Sequence, residues 1–159
     1  MARVDDIRGL AEFHAESISS SPIDWMNYLD TAARLYRYPF MDQLLIHAQR
    51  PQATACASLE LWNEKMFRWV NRGAKGIALL DETTQKTRLR YVFDIQDTHM
   101  VRGGRSPYLW QMQEGQQAAV LNHLEEVYGL EAKDTETLSD ALMATAKYMV
   151  EENLEEYLD

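Results

Sequence analysis

Cysteine is almost absent from the chain, since Cys56 is the single thiol in 159 residues. One thiol cannot form an internal disulfide, and a chain without disulfides suits the reducing cytoplasm. Cys56 lies among small residues, and no nearby pattern supplies an activating base, so we expect it to pack as a small apolar side chain. The sequence therefore predicts a cytoplasmic protein that is stabilised by its core.

Long apolar runs are missing as well. The first fifteen residues carry charges throughout and lack the apolar stretch of a signal peptide, and no run approaches the length of a membrane span. Apolar residues make up 46% of the sequence and charged residues 26%, which is ordinary for a folded domain. We expect a compact domain with helical appendages and no membrane partner.

The usual signatures of catalysis are also absent. The four histidines fall in four different predicted elements, and no HExxH or CxxC pattern is present that would hold a metal. Adjacent acidic pairs such as Asp5 and Asp6 point to different sides of a helix. GxSxG, Walker and GxGxxG motifs are lacking. The sequence predicts a protein that is not an enzyme and that uses no metal or cofactor.

Basic residues are outnumbered, because 16 lysines and arginines face 25 acids and the net charge is −9. Their distribution is uneven. Residues 1–30 carry −4, residues 31–110 carry +5, and residues 111–159 carry −10. A basic middle between acidic flanks is compatible with a polyanionic partner, despite the acidic total.

Hydrophobic spacing near three and four residues predicts three helices in the first third of the chain. They cover residues 3–17, Pro22 to about Arg37, and Met41–Gln49. Ser21 and Pro22 form a typical N-cap and first-turn pair. Prolines after Tyr38 and Arg50 end the second and third helices, because the residue before proline is pushed out of the α region.

The middle of the chain has strand patterns. Ser58 is expected to cap a short helix with Leu59, Leu61, Trp62 and Met66 inward. Strands Phe67–Val70 and Ile77–Leu80 bracket an NRGAKG turn, and a third strand covers Arg88–Ile95. Alternation predicts that Leu89, Tyr91, Phe93 and Ile95 are buried, and that Arg88, Arg90, Val92 and Asp94 form a mostly polar face. These strands predict a small antiparallel sheet packed with the N-terminal helices.

Beyond Pro107 the pattern returns to helix. One predicted helix covers Tyr108–Tyr128 and ends at Gly129, and another covers Thr135–Leu158. The expected fold class is therefore α+β, with a domain over residues 1–106 and an acidic helical extension over 107–159. The last residues show no C-cap signal, so we expect the chain to be part of a longer one.

A glycine-rich loop in the basic middle is a candidate phosphate site. Gly73 and Gly76 enclose Lys75, and Arg68 and Arg72 lie just before them. Glycines allow positive φ and close backbone approach, so N–H groups in such a loop can meet a phosphate. A tight connection between strands explains the same glycines, and both interpretations stay open.

Aromatic residues next to cations are candidates for stacking on unpaired bases. Such stacking contributes about 1–3 kcal/mol per base. Tyr38 and Trp69 directly follow arginines, whereas Trp62 lies on the inward stripe of its helix and is expected in the core. The single segment Arg102-Gly-Gly-Arg105 is interpreted as a flexible connection rather than an RNA-binding tail.

An ordered series of short motifs resembles a known family over residues 23–98. The series is Tyr36, Tyr38-Pro39, Gln43-Leu44-Leu45-Ile46, Gln49-Arg50-Pro51, Ala53-Thr54, Trp62, Val70, Arg72-Gly73, Lys75-Gly76-Ile77, Tyr91-Val92-Phe93-Asp94-Ile95 and Asp97-Thr98. It resembles the N-terminal domain of ArdC-type antirestriction proteins, in the version that opens large multidomain proteins of conjugative and other mobile elements. The resemblance implies single-stranded DNA binding, ahead of a metallopeptidase-like, helicase or methyltransferase region.

Two departures limit what the resemblance implies. The metallopeptidase HExxH is absent, so no protease activity follows. Asp42 lies where we expect a polar uncharged residue, and its charge disfavours a phosphate contact there. The resemblance implies binding roles for Tyr38, Arg50, Arg72 and Lys75, and the charge pattern adds Arg68, Arg88 and Arg90.

Together these observations predict a single-stranded DNA-binding module of a mobile-element protein, with contacts that do not read sequence. The candidate binding residues are Tyr38, Arg50, Arg68, Trp69, Arg72, Lys75, Arg88 and Arg90. This function predicts one positive face that contains Arg50, Arg72, Lys75, Arg88 and Arg90. An acidic protein-interaction or DNA-mimic antirestriction module instead predicts a continuous acidic surface. A third alternative is a domain that only positions its neighbours in a longer parent protein.

Overall fold

The computed structural model describes residues 3–83, 85–130 and 137–152. It divides the chain into two compact units, Met1–Leu109 and Trp110–Asp159. Helices dominate, and the strands form two small antiparallel sheets, so the predicted α+β class is confirmed. No helix within the described ranges is long and apolar enough to cross a membrane.

The first unit begins with three helices close to the predicted ones. They are α1 (Val4–Ser19), α2 (Pro22–Arg34) and α3 (Phe40–Gln49). Ser21 caps α2, because its hydroxyl accepts the Asp24 backbone N–H. Apolar side chains of α1 and α3, among them Ile7, Leu44 and Leu45, are buried in one core. That core carries the sheet that follows in sequence.

A π-helical turn, Leu61–Lys65, takes the place of the short predicted helix. Trp62 is 1% exposed, and its indole N–H donates to the Phe93 carbonyl at 2.8 Å, so its predicted place in the core is confirmed. Leu59 and Leu61 are instead exposed. The π-helical turn is closed by the Met66 N–H, which donates to the Leu61 carbonyl at 3.1 Å.

The described residues contain five strands, and their pairing differs from the expected single sheet. They are β1 (Cys56–Ala57), β2 (Arg68–Val70), β3 (Ile77–Asp81), β4 (Arg88–Asp94) and β5 (Thr98–Met100). One sheet has the order β1-β4-β3, and β2 pairs with β5 in a second sheet. The strands on either side of the NRGAKG turn therefore do not pair with each other. Strand β5 was not predicted, because three residues are too short to show a hydrophobic period.

The predicted faces of β4 are wrong for Tyr91, Val92 and Asp94. Val92 is 2% exposed and Asp94 is fully buried, whereas Tyr91 is 43% exposed. Val92 lies opposite Ile77 of β3, a buried core residue. Asp94 is buried because its carboxylate accepts backbone N–H groups of Thr54 and Gln96 at 2.7 and 3.1 Å. A buried carboxylate with such partners cannot be recognised from hydrophobicity.

The side chain of Gln49, at the end of α3, lies against β3. Its amide nitrogen donates to the Ala78 carbonyl, and its amide oxygen accepts the Ala78 N–H, both at 2.9 Å. Among the described residues, strand β3 pairs with β4 on one side only, so it is an edge strand of the sheet, and the Gln49 side chain bonds to it at Ala78. Helix α3 is thereby joined to the sheet by two hydrogen bonds from one side chain.

Two histidines lie close together between the helices. His14 of α1 and His47 of α3 have ring centroids 5.0 Å apart. The Thr31 hydroxyl donates to the Pro51 carbonyl, so the same oxygen accepts the Nδ1–H of His47 at 2.8 Å. Burial lowers the pKa of both histidines, and for His47 the neighbouring His14 and Arg34 lower the pKa further. Both rings are thus harder to protonate in the folded protein than in the unfolded chain.

These lowered pKa values predict that acid weakens the fold. Below the ordinary histidine pKa of 6.5 the unfolded chain binds more protons than the folded one. The free energy of unfolding therefore decreases as the pH is lowered. We expect a lower urea midpoint at about pH 5.5 than at about pH 7.5. A His14→Gln/His47→Gln variant should show a smaller fall, and an equal fall would contradict the assignment to these two rings.

Within its described residues, the second unit has two helices, α4 (Glu114–Tyr128) and α5 (Leu138–Glu152). Gly129 ends α4 in the left-handed conformation at φ 63°, as predicted. Helix α4 begins at Glu114, later than predicted, and the Gln113 backbone N–H donates to the Gln116 side chain there. Tyr128 and Tyr148 join the two helices by an edge-to-face contact at 5.9 Å. The rest of the predicted helix Thr135–Leu158 lies outside the described residues.

Candidate nucleic-acid interface

Strands β2 and β5 form a two-stranded ribbon in the first unit. Arg68, Trp69 and Val70 lie opposite Met100, His99 and Thr98. One further hydrogen bond extends the ladder at each end, from Val101 N–H to the Phe67 carbonyl and from Asn71 N–H to the Asp97 carbonyl. We call residues 67–76 and 97–105, which include the turns at both ends, the basic ribbon.

The pairing of β2 with β5 joins two segments that lack acidic residues. Residues 65–80 and residues 98–113 contain no Asp or Glu. The cations of the basic ribbon are Arg68, Arg72, Lys75, Arg102 and Arg105. Its one carboxylate, Asp97, forms an ion pair with Arg50. The ribbon therefore has an excess of positive charge in an acidic protein.

One face of the ribbon presents an aromatic side chain to solvent. Trp69 is 58% exposed and lies directly opposite His99, which is also exposed. Asn71 follows two residues later on the same face, and its Oδ1 lies 2.7 Å from His99 Nδ1. Arg68 alternates to the other face, where its Nε donates to the Thr98 hydroxyl at 2.8 Å.

The turn at one end of the ribbon carries two exposed cations, Arg72 and Lys75. Gly73 has φ +85°, and Ala74 N–H closes the turn on the Asn71 carbonyl at 3.0 Å. A left-handed residue is required here, so the structural interpretation of this glycine holds. This structural role of Gly73 is compatible with a phosphate contact, because the side chains of Arg72 and Lys75 remain exposed to solvent.

The turn at the other end contains Arg102 and Arg105 and is packed on the ribbon. Gly104 N–H donates to the Val101 carbonyl, and Arg105 N–H donates to the Met66 carbonyl, both at 2.8 Å. A Cβ at Gly104 would lie 2.8 Å from the Phe67 carbonyl oxygen and closer still to Met100. The segment was interpreted as a flexible connection, but its glycine permits close packing, and its two arginines belong to the ribbon.

The residue that opens the ribbon has an unusual backbone. Phe67 has φ +49°, and no other non-glycine residue in the described ranges has positive φ. A bulky residue rarely adopts this conformation, which costs of the order of 1–3 kcal/mol. Phe67 makes the turn from the π-helical segment into β2, and hydrogen bonds from the turn at Val101 hold it in place.

Besides Arg68, three of the sequence-derived candidates have partners within the fold. Arg90 forms an ion pair with the buried Asp42, whose pKa is raised by burial against the opposing effect of Arg90. Arg50 pairs with Asp97. The Tyr38 hydroxyl donates to the Cys56 carbonyl at 2.7 Å, and burial raises the pKa of Tyr38 to about 12. Any phosphate contact by Arg90 would leave a buried carboxylate without its counterion.

Arg88 is exposed but lies away from the glycine turn. It is opposite Asp81, whereas the residue after Gly76, Ile77, is opposite Val92. The two positions are separated by four residues along the strands, which is about 14 Å. The four arginines and one lysine expected on one face are therefore divided, and of these only Arg72 and Lys75 belong to the basic ribbon.

Comparison of the chain with protein-family models, with curated proteins and with solved structures finds no match. Within residues 3–83, 85–130 and 137–152, no three or more His, Cys, Asp or Glu side chains are arranged to hold a metal ion. Burial raises the pKa of the Cys56 thiol to about 12, so it stays protonated, as expected of a packing residue. The cations and the exposed tryptophan of the basic ribbon are therefore the features that indicate a function.

Sequence reasoning assigned no binding role to four residues of the ribbon: Asn71, His99, Arg102 and Arg105. One sequence signal could have found them. The acid-free segments 65–80 and 98–113 are equal in length and carry four and two cations, and pairing them brings like charges together unless an anion neutralises them. An anionic ligand satisfies that condition.

Proposed function

We propose that this chain is a single-stranded DNA-binding module and that the basic ribbon is its DNA-contacting surface. The observation that carries the proposal is the exposed Trp69, placed between two cationic turns on a ribbon whose one carboxylate is already paired. Proteins that bind single strands combine these two elements, a positive track for the backbone and an aromatic side chain for the bases.

The parts of the ribbon have separate roles in this function. Arg72 and Lys75 at one end, and Arg102 and Arg105 at the other, contact phosphates on either side of Trp69. Trp69 stacks on a base, and every base offers a π-face, so binding depends little on sequence. A base inside a duplex is not available for stacking, so the ribbon prefers single strands.

The resemblance to the N-terminal domain of ArdC-type proteins supports the same function. On that basis we place the chain in the cytoplasm, as the DNA-binding part of a longer protein of a mobile element, next to further domains of its parent. The proposal assigns it no catalytic role and no cofactor.

The dependence of affinity on salt tests the proposal. If about four phosphates are contacted, log affinity against log salt has a slope near −3, at roughly −0.7 per phosphate. An Arg72→Ala/Lys75→Ala variant should reduce the magnitude of that slope by about 1.4. Fluorescence anisotropy of a labelled oligothymidine at several salt concentrations measures both.

A matched control removes two exposed cations elsewhere, in an Arg37→Ala/Lys147→Ala variant, and should leave the slope unchanged. Absence of binding at low salt would refute DNA binding. Equal slopes for the wild type and the Arg72→Ala/Lys75→Ala variant would remove the glycine turn from the interface.

The acidic residues favour a second candidate, a protein-interaction or DNA-mimic antirestriction module. Residues 111–159 carry a net charge of −10, which suits a basic partner surface. The same oligonucleotide titration separates the two candidates, because a DNA mimic competes with DNA for its partner and does not itself bind DNA.

A further inference from the structure

His99 lies in the middle of the basic ribbon and has no role in the DNA contacts proposed above. It is directly opposite Trp69 and exposed on the same face. A base that stacks on Trp69 therefore brings its own phosphate groups close to the imidazole ring. Histidine is the side chain that ordinarily changes charge near neutral pH, so this position joins DNA binding to protonation.

The contact with Asn71 determines which nitrogen faces the ligand. Asn71 Oδ1 can only accept a hydrogen bond, and it lies 2.7 Å from His99 Nδ1. The proton of the neutral ring is therefore on Nδ1, and Nε2 has a free lone pair. In this state Nε2 cannot donate to a phosphate oxygen. It becomes a donor only when the ring takes up a second proton.

The charged groups around His99 offer the imidazolium no partner within the ribbon. On β2 its neighbours Trp69 and Asn71 are uncharged, and Arg68 faces the other side, bonded to Thr98. The turns contribute cations alone, which are Arg72, Lys75, Arg102 and Arg105. The carboxylate of Asp97 is paired with Arg50. Since the ribbon offers no unpaired carboxylate to the exposed ring, a phosphate of the ligand is the anion that can pair with its protonated form.

We propose that His99 is a phosphate-contacting residue of the ribbon, and that it binds DNA as an imidazolium, through Nε2–H. The inference rests on the proposed function and extends it: the ribbon takes up protons together with the strand. The phosphodiester groups stay anionic between about pH 8 and pH 6, so the protein is the partner that titrates. Affinity then rises as pH falls through this range.

The expected rise in DNA affinity at lower pH is that of one additional phosphate contact, made by His99. At roughly 0.1 M salt a further phosphate contact strengthens binding about fivefold, and it adds about 0.7 to the magnitude of the salt slope. The wild-type chain should therefore bind a labelled oligothymidine about fivefold more tightly at about pH 6 than at about pH 8, at constant ionic strength. Anisotropy titrations at both pH values measure this.

Variants separate His99 from other titrating groups. His99→Gln removes the titration and retains a polar side chain, and it should bind as the wild type does at about pH 8 with no gain at about pH 6. His123→Gln, on α4, is the matched control and should keep the full gain. A fivefold gain that persists in His99→Gln would overturn the inference.

Calorimetry gives a second readout that does not depend on a variant. Heats of binding at about pH 7, measured in two buffers with different ionisation enthalpies, report the number of protons taken up. Uptake that disappears in His99→Gln supports the inference, and zero uptake by the wild type overturns it. If no binding occurs at any pH, the proposed function fails. If binding occurs without pH dependence, the role of His99 alone fails.

Discussion

A Trp69→Ala variant is expected to bind single-stranded DNA about tenfold more weakly than the wild type. Loss of base stacking on one aromatic side chain costs about 1–3 kcal/mol, and each 1.4 kcal/mol is a factor of ten in affinity. Trp69 is 58% exposed and on β2 lies between Arg68 and Val70, which both face the other side of the ribbon. Its removal therefore affects the ligand more than the fold.

The matched control for this variant is Phe13→Ala, which removes another strongly exposed aromatic side chain, on α1. It should bind DNA as the wild type does. The salt slope of Trp69→Ala should remain near −3, because stacking releases no counterions. Unchanged affinity in Trp69→Ala would exclude stacking by this residue. A reduced slope would mean that the variant disturbs the phosphate contacts.

Removal of the Arg90 side chain is expected to lower the free energy of unfolding by about 2 kcal/mol. Loss of one partner from a buried ion pair costs about 3–5 kcal/mol, and the partial exposure of the Arg90 side chain reduces that figure. The cost arises because Asp42, whose side chain is buried, is left charged without a counterion. Urea denaturation at neutral pH measures the change.

Two further variants make this expectation specific. Arg88→Ala removes an exposed arginine from the same strand and should change stability by less than about 0.5 kcal/mol. An Asp42→Asn/Arg90→Ala variant should recover part of the lost stability, because the uncompensated charge is removed. Equal stability of Arg90→Ala and Arg88→Ala would contradict a structural role for the Arg90–Asp42 pair.

The helices could be predicted because their signals are local. Ser21, Pro22 and the prolines after Tyr38 and Arg50 delimit the helices within a few residues, and α2 and α3 follow them closely. The ribbon could not be predicted in the same way, since β5 has three residues and its partner β2 lies in a distant part of the sequence. Pairing of this kind depends on tertiary contacts and leaves no local period.

The candidate site was predicted where its residues are neighbours in sequence. Arg68, Trp69, Arg72 and Lys75 cluster in one segment and belong to one ribbon. Arg50 was included on the family resemblance and Arg90 on charge, and their partners Asp97 and Asp42 lie 47 and 48 residues away in sequence. A charge count cannot distinguish an arginine that is free for a ligand from one that neutralises a carboxylate of the fold.

The two hydrogen bonds between Gln49 and Ala78 also affect whether sheets of different molecules can associate. An uncovered strand edge is a template on which a strand from another molecule can add. The Gln49 amide acts like a single residue of a missing fourth strand and blocks that addition next to β3. If copies bind side by side along one DNA strand, as the proposed function allows, their local concentration is high, and this edge would resist fusion of their sheets into aggregates.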